Sequence, residues 1–184
     1  MGFEFDRATQ NTTQLTIHGE PKKFELLETF AFNSDRKRMS VVVRSGGLIK
    51  MYMKGADSIV KSRLAHDNKL NLDEELHKFA VIGLRTLLVG MRIISEAEYS
   101  DFRKKVEGLP PTNKEEALNQ IISDLESNIY LIGATAVLDR LQDEVPETIR
   151  DLIRANVKVW MLTGDKMETA ENIAKSCNLI QKDF

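Results

Sequence analysis

"MSVVVRSGGLIKMYMK", residues 39–54, decides the fold. Two apolar runs flank Gly46-Gly47, and only glycine takes positive φ freely at both centres of a two-residue turn. The stretch is predicted to be a β-hairpin, with Met39 to Arg44 as one strand and Leu48 to Lys54 as its return. If Gly46-Gly47 is the whole loop, Ser45 pairs with Leu48 and Lys54 falls opposite Met39. A loop one residue longer changes the parity but still returns Lys54 to the start of the first strand. That start is "FNSDRKR", residues 32–38, where Lys37 shares the parity of Met39 and Lys54. One aromatic ring, Phe32, and several cations thus converge.

Like charges gathered this way repel unless an anion sits among them. A ring beside an anion-binding pair suits a ligand with a flat base and a phosphate tail. The alternative is a solvated basic edge that discourages strand pairing, with Phe32 in the core.

Outward from the hairpin, residues 1 to about 54 read as strands, with Phe24, Leu26, Phe30 and Phe32 on alternate positions. Leu72, Leu76, Phe79 and Ala80 make a helical face that Gly83 stops. "LRTLLVGMRII" reads as a buried strand. Ser95 and Glu98 form a capping-box pattern for the next helix, which Pro110-Pro111 breaks. Leu118, Ile121, Ile122, Leu125 and Ile129 define another. After about residue 130 come "YLIGATAVL" as a strand, Asp143 to Asn156 as a helix with Pro146 in its first turn, "VKVWML" as a strand, a "TGD" turn, and a last helix facing inward with Met167, Ala170, Ile173, Ala174 and Cys177. Strand–helix–strand–helix is the signature of a parallel, doubly wound sheet. The expectation is an α+β domain over 1–135, an antiparallel sheet flanked by helices, and an incomplete α/β piece over 136–184.

Composition narrows the function classes. With 42% hydrophobic and 29% charged residues, the 184-residue chain has the make-up of a globular domain. A net charge of −2 gives no basic field for nucleic acid. Cys177 is the single cysteine, so no internal disulfide forms and a reducing compartment is the simpler reading. His18, His66 and His77 share no ligand spacing. No run approaches the roughly 20 apolar residues of a membrane helix, and Glu4, Asp6 and Arg7 interrupt any signal peptide. The chain as given reads as soluble, which does not exclude its being cut from a membrane protein.

Two further features carry chemistry. Arg85 shares parity with Leu87 and Val89 in "GLRTLLVG"; a guanidinium there needs either a carboxylate within the fold or a ligand phosphate. Thr163-Gly164-Asp165 closes an apolar strand as a helix opens, the place where open parallel sheets bind ligands. Asp165 also suits a simple helix N-cap. No phosphate loop of the Gly-x-x-x-x-Gly-Lys-Ser/Thr kind, no Gly-x-Ser-x-Gly elbow and no Asp-x-Asp pair is present; Asp139 and Asp143 stand four apart.

"FNSDRKRMSVVVR", "MKGADSIV", "GLRTLLVGMR", "DRLQDEVPETI" and "WMLTGDKMETAENIAKSC" together resemble, in order and spacing, the cytosolic nucleotide-binding (N) domain of type IV P-type ATPases, the phospholipid flippases. The resemblance spans nearly the whole chain. Asp57 after Lys-Gly-Ala, and Leu141-Gln142-Asp143, favour this branch over the cation pumps. It implies that residues 136–184 are a fragment of a haloacid-dehalogenase-like, Rossmannoid phosphorylation (P) domain. It also implies an ATP site: Phe32 on adenine, Lys37 beside the nucleotide, Lys54 at the back of the pocket, Arg85 on the phosphates. Thr163, Gly164 and Asp165 then meet the γ-phosphate and Mg²⁺ after domain closure. The segments with the phosphorylated aspartate and most Mg²⁺ ligands do not occur in this sequence, so the chain reads as a fragment that binds ATP without turnover and has no catalytic residue of its own. The implied partners are the actuator, phosphorylation and transmembrane domains of the same protein and an accessory membrane subunit. The alternatives are a cation-pump domain, a stand-alone nucleotide-binding adapter and, against the lack of Asp-x-Asp, a haloacid-dehalogenase phosphatase.

Overall fold

The computed structural model describes residues 2–65, 72–110, 112, 114–138, 140–164 and 167–180. Seven strands are β1 (Phe3–Ala8), β2 (Thr12–Ile17), β3 (Glu20–Asn33), β4 (Arg38–Ser45), β5 (Leu48–Ala56), β6 (Leu84–Ile94) and β7 (Tyr130–Leu138). They lie side by side in chain order, with antiparallel pairing through β5. The helices are α1 (Asp57–Lys61), α2 (Leu72–Val81), α3 (Glu96–Glu107), α4 (Lys114–Leu125), α5 (Val145–Arg154) and α6 (Met167–Ser176). The chain forms two compact units, one of Met1–Lys69 with Leu88–Gly133, the other of Leu70–Leu87 with Ala134–Phe184.

In the first unit the hairpin sets the sheet. Ser45 pairs with Leu48 and Met39 with Lys54, the predicted register. Gly46 and Gly47 take φ of 60° and 76°, the positive values a two-residue turn demands. Alternation then sorts the strands. Val42, Ile49, Met51 and Met53 face inward and are at most 1% exposed, while Met39, Lys50 and Lys54 face out. The inner face is covered by helices. Phe30 meets Phe102 of α3 edge to face at 6.0 Å, and α4 adds Ile122 and Leu125. Ser95 caps α3 as predicted, its Oγ accepting from the Glu98 amide at 3.2 Å. Tyr99 donates to Glu28 at 3.1 Å. Burial and that carboxylate push the Tyr99 phenol up to about 12, so it remains a hydrogen-bond donor across the neutral range.

In the second unit Leu76 and Ala80 of α2 are buried. Gly83, at φ 78°, ends the helix as its sequence position suggests. The Asn172 amide of α6 donates to the Val81 carbonyl at 2.8 Å. α5 begins with Pro146 in its first turn behind a left-handed Glu144, φ 67°.

The predicted last strand does not form, and Ile129, expected on the helix of Leu118 to Leu125, lies beyond α4 in a bridge to Leu64. Residues 157–164, which include "VKVWML", form no strand. The pattern is strand-like, but a strand exists only through a ladder, and none of the strand ladders among the described residues includes this segment. Trp160 and Leu162 are left 82% and 95% exposed.

The two faces differ enough to test. Met51→Ala, on the inner face, is expected to cost about 2–5 kcal/mol. Met39→Ala, on the outer face, should cost less than about 1 kcal/mol. Urea denaturation of the two variants measures both.

Candidate functional site

Phe32 owes its position to two irregularities in β3. The β3–β4 register slips between Leu26 and Glu28, and again between Phe30 and Asn33. Simple alternation would place Leu26, Phe30 and Phe32 on one face. Instead Leu26 pairs with outward Val43, and Phe30 with inward Ser40. The second slip sets Ala31 and Phe32 together against Met39, a bulge that re-aims the side chain. Phe30 is 8% exposed and Phe32 64%. The sequence expectation of four aromatic and aliphatic residues in one stripe is corrected accordingly: neither the bulges nor their sites are encoded in the alternation itself.

A row of three outward residues results: Phe32 on β3, Met39 on β4 and Lys54 on β5. Strands lie about 4.8 Å apart, so the row spans roughly two strand spacings, close to 10 Å. Next to it on the same face runs an open apolar depression of about 430 Å³ lined by Leu26, Thr29, Val41, Val43 and Tyr52 among others.

Lys37 is not a strand residue, contrary to its expected parity with Met39. It closes the turn 34–37 with φ 50°. Asn33 builds that turn: its Oδ1 accepts from the Asp35 amide at 2.6 Å, the side-chain mimicry of a turn typical of Asn. The Lys37 amide then donates to the Asn33 carbonyl at 2.7 Å, and the Lys37 carbonyl accepts from the Ala56 amide at 3.0 Å. This last bond ties the turn to the end of β5. Gly55 makes the tie possible. A Cβ there would stand 2.6 Å from Arg38 Cβ and 2.8 Å from the Lys37 carbonyl oxygen.

The other cations of the cluster turn inward, to a partner the sequence reading missed. Glu126, fully buried, receives Arg36 Nη2 and Ser40 Oγ on Oε1, and Arg38 Nε on Oε2 at 2.6 Å. Arg63 closes the other side, donating to the carbonyls of Ser123 at 2.9 Å and Glu126 at 3.2 Å. Burial, then the nearby Arg38, lower the Arg63 pKa, and Glu126 opposes them. A signal existed. Glu126 follows Ile122 by four residues and so extends the apolar stripe of α4, where a carboxylate needs a buried partner.

The remaining expected residues belong to the second unit. Arg85 is exposed near the start of β6, and Thr163 and Gly164 are exposed in the non-strand segment. Asp165 lies outside the described residues. Among the described residues no group of three or more His, Cys, Asp or Glu is placed to hold a metal, and no helix is long and apolar enough to cross a membrane. The structure therefore gathers Phe32, Lys37 and Lys54 in one unit.

An antiparallel sheet flanked by helices agrees with a direct family match. Residues 7–144 match the P-type ATPase cytoplasmic domain N. The chain belongs to the P-type ATPase family through that domain. It is 44% identical over 99% of its length to human "Phospholipid-transporting ATPase IC". It is 40% identical over its full length to "Phospholipid-transporting ATPase C887.12" of Schizosaccharomyces pombe, and 42% to "Phospholipid-transporting ATPase DNF1" of Chaetomium thermophilum. These relatives are of the type IV branch, as the motifs imply. The chain spans 12–15% of their length.

Because the space at Gly55 is closed by backbone as well as by Arg38, Gly55→Ala is expected to destabilise the fold by about 1–3 kcal/mol. It should also loosen the 34–37 turn, read as faster hydrogen exchange at the Ala56 amide. An unchanged exchange rate would disprove the tie.

Proposed function

We propose that this chain is the ATP-holding N domain of a phospholipid-transporting P-type ATPase, in which ATP hydrolysis through an aspartyl-phosphate drives lipid translocation. One observation carries the reading. The sheet bends its register to expose Phe32, and sets it in line with Lys54 across Met39. Adenine stacks on the Phe32 ring, and the ammonium groups of Lys37 and Lys54 balance the phosphates. The relatives named above support the transport role by their names, and the family match supports the nucleotide role.

The finer assignments rest on the resemblance. Arg85 reaches the phosphates, and Thr163, Gly164 and Asp165 meet the γ-phosphate and Mg²⁺ once the domains close. Residues 136–184 are then a fragment of the haloacid-dehalogenase-like phosphorylation domain, and 1–135 the N domain. Mg²⁺ enters this reading as the ion carried by ATP. The actuator and transmembrane domains supply the rest of the cycle. Phosphoryl transfer depends chiefly on positioning and charge neutralisation, and this chain supplies the positioning.

A base–aromatic stack contributes roughly 1–3 kcal/mol and a charge-assisted hydrogen bond about 1.5–3 kcal/mol. After ordering costs, ATP is expected to bind the 184-residue chain at about millimolar strength, with no phosphate release. An NMR titration should move the Phe32, Lys37 and Lys54 signals. Phe32→Ala should weaken binding about tenfold or more, while Lys105→Ala, on α3 across the sheet, leaves it unchanged. Shifts confined to the α3 side would refute this site.

A further inference from the structure

We infer that Glu126 is a positioning residue for nucleotide binding: its buried carboxylate holds the 34–37 turn in the shape that presents Lys37. The inference rests on the ATP site proposed above but concerns a residue outside it. Arg36 and Arg38 flank Lys37 in sequence, and both point into the unit onto Glu126. Their side chains are 13% and 6% exposed, against 0% for Glu126. With both neighbours drawn inward, Lys37 closes, in a left-handed conformation of φ 50°, the turn that Asn33 opens. A lysine adopts that region only when its surroundings over-determine it.

The carboxylate reaches three successive places in the chain: the turn through Arg36, the first residue of β4 through Arg38, and β4 itself through Ser40. It therefore fixes where the turn leaves the sheet, and hence where the Lys37 carbonyl meets the Ala56 amide beside Lys54. The charge balance makes one carboxylate decisive. Arg36, Arg38 and Arg63 surround it, with Asp124 a smaller influence on Arg63. Among the described residues Glu126 is the one carboxylate paired with Arg36 and Arg38, and buried cations left without a counter-charge must move or draw in another anion. Arg36 is the more exposed of the pair on Lys37's flanks. Apart from Glu126, its side chain bonds the Ala31 carbonyl from Nη1 at 3.3 Å, so without Glu126 it is the one placed to swing outward. Glu126 thus keeps the guanidiniums off the nucleotide face and leaves the phosphates to the lysines.

The test uses the 184-residue chain and four variants: Glu126→Gln, Glu126→Asp, Arg36→Leu and Ile122→Ala. The last truncates the core on the same helix and serves as the control for lost stability. Without nucleotide, Glu126→Gln is expected to shift the Lys37, Gly55 and Ala56 amide resonances. Its ATP dissociation constant, measured at a temperature where the variant is folded, should rise about tenfold, the equivalent of one charge-assisted hydrogen bond. Glu126→Asp, which keeps the charge, should recover part of that loss. Ile122→Ala should lower Tm yet keep the dissociation constant within about twofold. If Glu126→Gln does not fold, Arg36→Leu removes one arm of the network and should still shift the same amides. Wild-type affinity in folded Glu126→Gln, or an equal loss in Ile122→Ala, overturns the inference. An ATP site elsewhere, seen as Phe32→Ala binding like wild type, sinks the function reading instead. The nucleotide-free amide shifts then judge Glu126's hold on the turn separately.

Discussion

A carboxylate in a protein interior is costly unless charges and donors surround it. Glu126 meets that condition with two guanidiniums and a hydroxyl. All three donors come from residues 36 to 40, so the carboxylate at the helix end is met wholly from the strand entrance. Removing the carboxylate would leave arginines buried without a counter-charge, and removing the arginines would strand the carboxylate. Such an arrangement adds little net stability compared with apolar packing; on the inference drawn above, what it contributes is the choice of one geometry. The conformation it selects is a turn that apolar packing could not specify, because Ser34, Asp35 and Lys37 are all exposed.

The second constraint is the pleat. Helices on the inner face require Phe30 inside, and unbroken alternation from Phe30 would bury Phe32 as well. One extra residue in β3 resolves the conflict. The same device acts earlier in the strand, between Leu26 and Glu28, and sends Leu26 to the open depression while Phe30 enters the core. β3 thus serves two faces with one apolar sequence, at the expense of two breaks in its ladder.

This explains what the sequence revealed and what it hid. The hairpin register was legible to the residue, because Gly46-Gly47 admits few turns and the β-branched flanks leave little slippage. The α3 cap was legible from Ser95 and Glu98, since capping is local chemistry. The bulges were not, because they depend on what the far side of the sheet must bury. Glu126 was missed for a related reason. Its partners lie 86 to 90 residues away, and only its place on the α4 stripe hinted at them. The "VKVWML" segment failed in the opposite sense: its local pattern is sound, but pairing is non-local, and no described strand accepts it. The placement of Phe32, Lys37 and Lys54 in one unit was foreseen from the hairpin, though Lys37 arrives through a turn rather than through strand parity.

On the proposed reading, the openness of the site has a mechanical meaning. Phe32, Met39 and Lys54 form a shelf on one sheet face, not an enclosed cleft, so a bound purine would keep one side toward solvent. A shelf of this kind holds its ligand through one stack and a few charges, which limits affinity, but it also leaves the phosphate end projecting beyond the sheet. An enclosed pocket would bind ATP more tightly and shield the γ-phosphate from any second domain. Binding energy that holds ground state and transition state alike does nothing for the chemical step. A domain whose task is to present a phosphate therefore gains from rigid placement of two or three groups rather than from tight enclosure. On the inference above, the buried Glu126 network and the close contact at Gly55 are what would supply that rigidity.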